Sequence, residues 1–208
     1  MNLYIKERNE LLAKQVITHL QKRNMTGYYA SSKEEALQIA LRLIPEGSCV
    51  AMGGCESARE IGLTDTLKNG HYTFIDRQRM VKREGLLAGY GADVFIASVN
   101  AMSSDGVLVN IDGNANRVSY IAQGPKKVIF IVGMQKICSD VDQAMKRARN
   151  VAAPINAQRF DVQTPCKKTG SCLNCLSPDT LCCQFLITRY SRHQNRIHVI
   201  LVNDHLGF

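Results

Sequence analysis

Hydrophobic residues in this chain occur either in short uninterrupted runs or at a helical period, and the two patterns alternate. Two uninterrupted runs, Asp93–Val99 and Lys127–Gly133, are flanked by turn residues. Runs of this kind are typical of parallel strands that are buried on both faces. Shorter runs predict further strands at Tyr28–Ala30, Ser48–Met52, Tyr72–Asp76 and Arg196–Val202.

Segments with apolar residues at helical spacing lie between these runs. The first is Leu3–Arg23, and the second begins where Ser32 forms a capping-box pattern with Glu35. Further helices are predicted over Ala58–Lys68, Arg77–Ala88 and Asp140–Ala153. Strands that alternate with helices predict an α/β fold with an open, mainly parallel sheet flanked by helices. A length of 208 residues suits one domain over 1–208, and the cysteine-rich loop 164–185 is part of it.

Composition narrows the class of protein. Hydrophobic residues make up 45% of the chain, which is ordinary for a globular protein. The charged segment Met1–Asn24 does not resemble a signal peptide, and no apolar run approaches the roughly 18–20 residues that span a bilayer. We therefore expect a cytoplasmic protein without a membrane span. The net charge of +8 favours an anionic partner, and a small anionic metabolite fits better than nucleic acid because no nucleic-acid motif is present.

The loop after the predicted strand Ser48–Met52 is a candidate binding site. It reads "GGCES", and Gly53 and Gly54 allow the backbone to approach a ligand closely. A helix begins just beyond, so its free N–H groups and the Ser57 hydroxyl are candidate donors to a phosphate or carboxylate. A tight turn alone would also explain the two glycines. Cys55 is a candidate nucleophile, since a helix start lowers a thiol pKa, but a lone cysteine at such a position is more often just a small residue.

A second candidate loop, Ser98–Val118, follows the predicted strand Asp93–Val99. Asp105-Gly106 predicts a hairpin turn, and local hydrogen bonds in turns would by themselves explain much of the loop's polarity. Its candidate ligand-binding residues are Asn100, Gly106, Asn110, Asp112, Gly113, Asn114 and Arg117. Arg117 can bind an anion with two hydrogen bonds. Parallel sheets bind ligands beyond the carboxyl ends of their strands, so we expect Gly54 and Asp105 to face one anion pocket, with Glu56 or Asp105 as the proton-transfer group.

Five of the eight cysteines lie within the segment "CKKTGSCLNCLSPDTLCC". Disulfides, a metal centre and a reactive thiol pair are the alternatives. Disulfides seldom persist in the cytoplasm, and the C-x-x-C pair does not open a helix after a strand, as a thioredoxin-like pair would. The predicted metal ligands are Cys166, Cys172, Cys175 and Cys182. Four sulfur ligands suit either tetrahedral zinc or an iron–sulfur cluster, and the spacing does not distinguish them.

Several long segments resemble the LUD-domain proteins, also called lactate-utilisation proteins, and the short single-domain branch fits best. The similar segments are "GGCESAREIGL", "GADVFIASVNAMSSDGVLVNIDGNANRV", "GPKKVIFIVGMQKI", "AAPINAQRF" and the cysteine tail. The resemblance implies a fold like that of the sugar-phosphate isomerase and CoA-transferase superfamily. The chain departs from the family pattern at Cys55, where serine is usual. It also contains no recognisable counterpart of the CoA-transferase catalytic glutamate.

The resemblance implies a role in organic-acid metabolism, because relatives support the oxidation of L-lactate to pyruvate beside iron–sulfur subunits. It favours an iron–sulfur cluster slightly over zinc, and a redox partner subunit. It is compatible with a homo-oligomer. One alternative is a sugar-phosphate isomerase or CoA-transferase-like enzyme with structural zinc. Another is a non-catalytic sensor or assembly subunit.

Overall fold

The computed structural model describes residues 2–75 and 82–208. The strands are β1 (Thr26–Ala30), β2 (Cys49–Met52), β3 (Thr73–Ile75), β4 (Val94–Ala97), β5 (Ala101–Ser103), β6 (Leu108–Asp112), β7 (Lys127–Gly133), β8 (Ile137–Cys138), β9 (Gln184–Thr188) and β10 (Ile197–Val202). The helices are α1 (Leu3–Lys22), α2 (Lys33–Leu43), α3 (Glu56–Glu60), α4 (Leu63–Asn69), α5 (Lys82–Tyr90), α6 (Asn116–Gln123), α7 (Val141–Arg147), α8 (Ala153–Ala157) and α9 (Pro165–Thr169). A 3₁₀ turn, Met134–Lys136, follows β7, and a π-helical turn, Ala148–Ala152, joins α7 to α8.

Six parallel strands form the main sheet in the order β1-β10-β7-β4-β2-β3. The central strands β4 and β10 are buried at every position, and β7 is buried at every position after Lys127. Their uninterrupted apolar sequences are therefore explained by burial on both faces. The predicted open, parallel α/β sheet flanked by helices is confirmed.

Helices cover both faces of this sheet. Val16 and Leu20 of α1 and Tyr120 of α6 pack into one apolar cluster. Ile39 of α2 and Leu67 of α4 belong to a second cluster. The capping box predicted at the start of α2 is present in part, because Ser32 Oγ accepts a hydrogen bond from the Glu35 amide at 3.2 Å while the Glu35 carboxylate accepts from Ser31.

A second, four-stranded sheet in the order β8-β5-β6-β9 was not predicted from the sequence, apart from its hairpin. β5 and β6 are antiparallel, and the predicted turn at Asp105-Gly106 joins them. Gly106 has a φ of +90°, which a residue with a side chain rarely adopts. β9 pairs antiparallel with β6, so the end of the cysteine-rich segment is fixed to the hairpin.

The structure corrects the prediction of one helix over Ala58–Lys68. The segment forms α3 and α4, because Gly62 lies between them in the left-handed conformation at φ +78°. The prediction of a helix over Arg77–Ala88 falls partly outside the described residues; its described part belongs to α5. Among the helices of residues 2–75 and 82–208, none is long and apolar enough to cross a membrane.

Candidate functional site

A cavity of about 410 Å³ lies beyond the carboxyl ends of β2 and β4. The residues that follow these two strands line it, as expected for a parallel sheet. Nine of the predicted site residues contribute to its wall: Gly53, Gly54, Glu56, Ser57, Asn100, Asp112, Gly113, Asn114 and Arg117. The two loops singled out in the sequence therefore meet at one cavity.

Three predicted site residues do not line this cavity. Asp105 and Gly106 lie at the tip of the β5–β6 hairpin, where Arg23 at the end of α1 donates to the backbone oxygen and the carboxylate of Asp105. Asn110 is fully buried within β6, and its Nδ2 donates to the Ser98 carbonyl at 2.9 Å. The expectation that Gly54 and Asp105 face one pocket is thus not met by the geometry, because the hairpin projects its turn toward α1.

Arg117 is held in place from two directions at the start of α6. The Asp112 carboxylate accepts from the backbone N–H groups of Arg117 and Val118 at 2.7 and 3.1 Å. One terminal nitrogen of the guanidinium donates to Asn100 Oδ1 at 2.9 Å and to the Ile111 carbonyl. Burial lowers the pKa of Arg117, but arginine remains charged in proteins. A rigid cation therefore forms part of the cavity wall.

Lys136, which the sequence reasoning missed, is the most deeply buried cation of the cavity. Its side chain lies at the end of the turn after β7, is 2% exposed, and places Nζ 3.0 Å from Ser98 Oγ and 3.2 Å from Ser57 Oγ. Burial lowers the pKa of Lys136 to about 8. The rule that led to the two polar loops, namely that ligands lie beyond the carboxyl ends of parallel strands, also applies to the residues after Gly133 and would have found it.

Glu56 is paired with two arginines at the cavity wall. Its carboxylate binds Arg59 on the same helix and Arg159 at 2.6 Å. The Arg159 guanidinium also lies over the rings of Phe160 and Phe208, with centroid distances of 5.7 and 5.6 Å. Glu56 thus holds the charged rim of the cavity together.

Cys55 is 2% exposed, and burial raises its pKa, despite the opposing influence of a backbone hydrogen bond and of Lys136. Of the two interpretations of Cys55, its burial favours the small packing residue over the activated nucleophile. Desolvation of the thiolate outweighs the favourable charges. Cys55 instead packs in the apolar cluster on the α2 face of the sheet.

The four predicted metal ligands line a second cavity, of about 140 Å³. Cys166, Cys172, Cys175 and Cys182 all contribute to its wall. Arg149 places a guanidinium nitrogen 3.7 Å from Cys172 Sγ. Burial, together with the other three cysteines, raises the pKa of Cys182 to about 11. In the part of the chain that the structure describes, no group of three or more His, Cys, Asp or Glu side chains is arranged to hold a metal ion.

The two cavities share a wall. Leu181 lines both of them, and its backbone lies so close to Gly113 that a Cβ there would approach Leu181 Cα to 3.3 Å. The Cys183 amide donates to the Asp112 carbonyl at 3.0 Å, next to the start of β9. The cysteine-rich segment therefore packs directly on the polar loop after β6.

The fold and the cavity define an α/β protein with a cationic pocket at the strand ends and a cysteine-lined pocket behind it. The sequence profile of the LUD domain matches residues 13–202, so the chain belongs to the LUD domain family, the family of lactate-utilisation proteins. The crystal structure of a DUF162 family protein from Deinococcus radiodurans resembles it with a TM-score of 0.53 and 16% sequence identity, over 94% of this chain and 98% of that one. This second likeness concerns the fold. Comparison with curated proteins gave no significant match.

Proposed function

We propose that the cavity at the strand ends binds a small organic acid of the 2-hydroxy or 2-oxo class, as a subunit of a system that oxidises lactate-type acids. The observation that supports this most is the excess of positively charged side chains around the cavity. Four cationic side chains line it, namely Arg59, Arg117, Lys136 and Arg159, against the two side-chain carboxylates of Glu56 and Asp112.

The two carboxylates are already engaged by the protein. Glu56 pairs with both Arg59 and Arg159, and Asp112 accepts from the first amides of α6. Among the described residues, Arg117 and Lys136 form no ion pair with any carboxylate. Buried charges in proteins are normally paired, so two such cations beside one cavity favour an anionic ligand.

Arg117 suits the carboxylate of such a ligand. Asn100 and the Ile111 carbonyl accept only from one of its terminal nitrogens, and its other nitrogens make no hydrogen bond to the described residues. A guanidinium held on one side presents its remaining donors in fixed directions, which matches the two oxygens of a carboxylate. Lys136, with Ser57 and Ser98 beside it, would then lie near the hydroxyl or carbonyl group at C2.

Phosphorylated ligands are the second candidate, and the volume of the cavity favours them. About 410 Å³ is within the usual range for metabolite pockets and exceeds what a three-carbon acid fills. The same two cations would bind a phosphate. A sugar-phosphate isomerase or CoA-transferase-like reaction would use this arrangement, with Glu56 as the proton-transfer group.

The cysteine-lined cavity fits a metal centre held by Cys166, Cys172, Cys175 and Cys182. Four thiols on one small cavity with a guanidinium beside them are the donor set of a sulfur-ligated centre. A single zinc ion needs sulfurs converging at about 2.3 Å from it, whereas an iron–sulfur cluster suits a wider spacing. All four thiols line one cavity, which is compatible with either centre, and we favour the cluster because the oxidation of a lactate-type acid needs an electron carrier. When bound, it would supply one-electron transfer.

The cysteine site also offers a place for a redox partner subunit. Leu173 and Leu176 line its cavity and are 61% and 97% exposed. Apolar side chains this exposed favour contact with another protein. With Leu181 between the two cavities, a partner docked here would stand close to the organic acid.

Thermal unfolding with L-lactate, pyruvate and ribose 5-phosphate tests the proposed ligand class. We expect L-lactate or pyruvate to raise Tm. Arg117→Gln should weaken the apparent affinity for that acid by about tenfold or more, since a charge-assisted hydrogen bond contributes about 1.5–3 kcal/mol. Arg42→Gln, an exposed arginine on α2, is the matched control. A Tm unchanged by all three compounds, or an effect equal in the two variants, contradicts the proposal. Stabilisation by ribose 5-phosphate alone supports the second candidate.

Anaerobic purification followed by iron, zinc and acid-labile sulfide analysis tests the metal centre. Cys172→Ser and Cys175→Ser should lose the metal, whereas Cys183→Ser should retain it because Cys183 does not line the cavity among the described residues. One zinc per chain without sulfide would support the structural-zinc alternative. Protein without any metal would refute the centre.

A further inference from the structure

Lys136 is buried more deeply, and has more weakly polar partners, than anion binding alone requires. Its side chain is 2% exposed, and its Nζ lies between the hydroxyl oxygens of Ser98 and Ser57 at 3.0 and 3.2 Å. Those two hydroxyls are themselves 3.3 Å apart. Among the described residues this amine donates only to neutral hydroxyls, without the carboxylate that normally keeps a buried lysine protonated.

The surroundings of Lys136 leave its amine open toward the ligand. Lys136, Ser57 and Ser98 all line the cavity, and Arg117 lines its wall as well. Gly207 lines the same cavity, and a Cβ built on it would come within 3.2 Å of Nζ. Only a residue without a side chain therefore fits beside the amine at this point of the cavity wall.

We infer that Lys136 forms an imine with the carbonyl carbon of a 2-oxo acid whose carboxylate is bound by Arg117. The inference rests on the proposed function, and it names the oxidised member of the ligand class as the covalent partner. The uncharged amine adds to the ketone to give a carbinolamine, the C–O bond then breaks, and one water leaves as the C=N bond forms. No electrons are gained or lost, so the step needs no further reactant.

Ser57 and Ser98 fit the proton transfers of this step. The amine must lose protons and the departing oxygen must gain one, and hydroxyls at hydrogen-bonding distance from Nζ can exchange protons with both. Cations beside the amine favour its uncharged form, as in other lysines that act as nucleophiles. With the pKa of Lys136 near 8, about a tenth of the amine is uncharged at pH 7, which ordinary surface lysines do not approach.

Borohydride trapping tests the inference. The purified chain is mixed with pyruvate, sodium cyanoborohydride is added, and the product is analysed by intact mass and by peptide mapping. Reduction of the imine leaves a stable secondary amine whose added mass equals pyruvic acid less one oxygen atom. We expect one adduct per chain, on Lys136, and a labelling rate that rises through about pH 8.

Variants and a parallel binding measurement separate the outcomes. Lys136→Arg keeps the positive charge but cannot form an imine, so its adduct should be absent. Lys127→Arg, which replaces a partly buried lysine bonded to the Leu43 carbonyl, should label like the original chain. Pyruvate that raises Tm without any adduct overturns the imine and leaves the proposed function intact. An adduct spread over surface lysines also overturns it, whereas failure of every organic acid to alter Tm counts against the proposed function itself.

Discussion

The ammonium nitrogen of Lys136 lies 3.0 Å from the hydroxyl oxygen of Ser98, and this contact connects the ends of the neighbouring strands β7 and β4. Both residues lie beyond the carboxyl ends of their strands. Ser98 also accepts from Ser57 beyond β2, so one small network connects three of the six strand ends. The cavity is therefore organised around polar groups that are almost completely buried.

Replacing Ser98 tests how much this network contributes to stability. Ser98→Ala leaves Lys136 with one hydroxyl partner in a buried site, which should cost about 1–3 kcal/mol in the free energy of unfolding. Urea denaturation measures the change. Ser104→Ala is the control, because its hydroxyl bonds the Ser139 carbonyl at an exposed position, and it should cost less than Ser98→Ala. Equal losses would argue against a buried network.

Stability should depend on pH through Lys136. Its pKa falls from 10.5 to about 8 because of burial, with Arg147 and Arg117 lowering it and Cys55 and Glu60 opposing them. Between these two values the unfolded chain binds a proton that the folded chain does not, so stability falls as the pH falls from about 10 to about 8. The loss amounts to about 3 kcal/mol and is complete below pH 8.

Comparison with Lys136→Met isolates this contribution. The difference in unfolding free energy between the variant and the original chain should grow as the pH falls from about 10 to about 8 and stay constant below. Urea titrations at several pH values give that difference while other titrating groups cancel. A difference that does not vary with pH contradicts the lowered pKa.

The Asp112 carboxylate should stabilise the start of α6. It accepts from the amides of Arg117 and Val118, as a helix N-cap does. Asp112→Ala should cost about 1–2 kcal/mol, and Asp112→Asn less, because the amide oxygen can still accept. Both changes should also weaken ligand binding through Arg117. Denaturation and ligand titration of the same two variants check both effects, and unchanged ligand affinity in Asp112→Ala would contradict the link to Arg117.

Two glycines of the cavity should respond differently to alanine. Gly207 has a φ of +54°, and a Cβ there would lie 2.9 Å from Ser57 Oγ. Gly207→Ala should therefore cost about 1–3 kcal/mol. Gly54→Ala meets no atom of residues 2–75 and 82–208 within 4 Å and should change stability by less than about 0.5 kcal/mol. Thermal unfolding of the two variants checks this. Equal losses of stability would show that any added side chain in the cavity wall is destabilising, independently of the backbone conformation.

Asp105 should matter for stability and not for the ligand. Burial acts to raise its pKa, but the hydrogen bond from Ser103 and the charge of Arg23 outweigh this and leave the pKa below its usual value. Its stabilising contribution is therefore present at neutral pH and is lost as the pH falls through that lowered pKa. Asp105→Asn should reduce stability by less than about 1 kcal/mol, since the Asp105 side chain is half exposed. The ligand affinity of Asp105→Asn should match that of the unsubstituted chain. A tenfold loss of affinity would indicate that Asp105 does belong to the binding site.

The main sheet could be predicted from the sequence because its strands are buried on both faces and so consist of unbroken apolar residues. Lys127–Gly133 is a strand with the predicted bounds. The second sheet escaped prediction because β5 and β8 are only three and two residues long, too short to show a period. β9 lies directly after the cysteines, and three of its five residues are exposed.

The site could be predicted where the segment that follows a strand carries glycine or polar residues. Gly53, Asn100 and Arg117 met this condition. Asp105 also follows a strand, but it lies in the turn of the β5–β6 hairpin, and this turn contacts Arg23 instead of lining the cavity. Lys136 was missed because it is a single charged residue in a short turn, and its significance depends on two serines that are 38 and 79 positions away in the chain.

Asp112 has one further consequence for the behaviour of this protein. Its carbonyl is bonded to the amide of Cys183, while its carboxylate is bonded to the helix that bears Arg117. Oxidation that disorders the cysteine-rich segment is therefore expected to displace Arg117 as well, because only Asp112 separates the two. The affinity for the proposed ligand would then fall although no residue of the cavity wall had itself been oxidised.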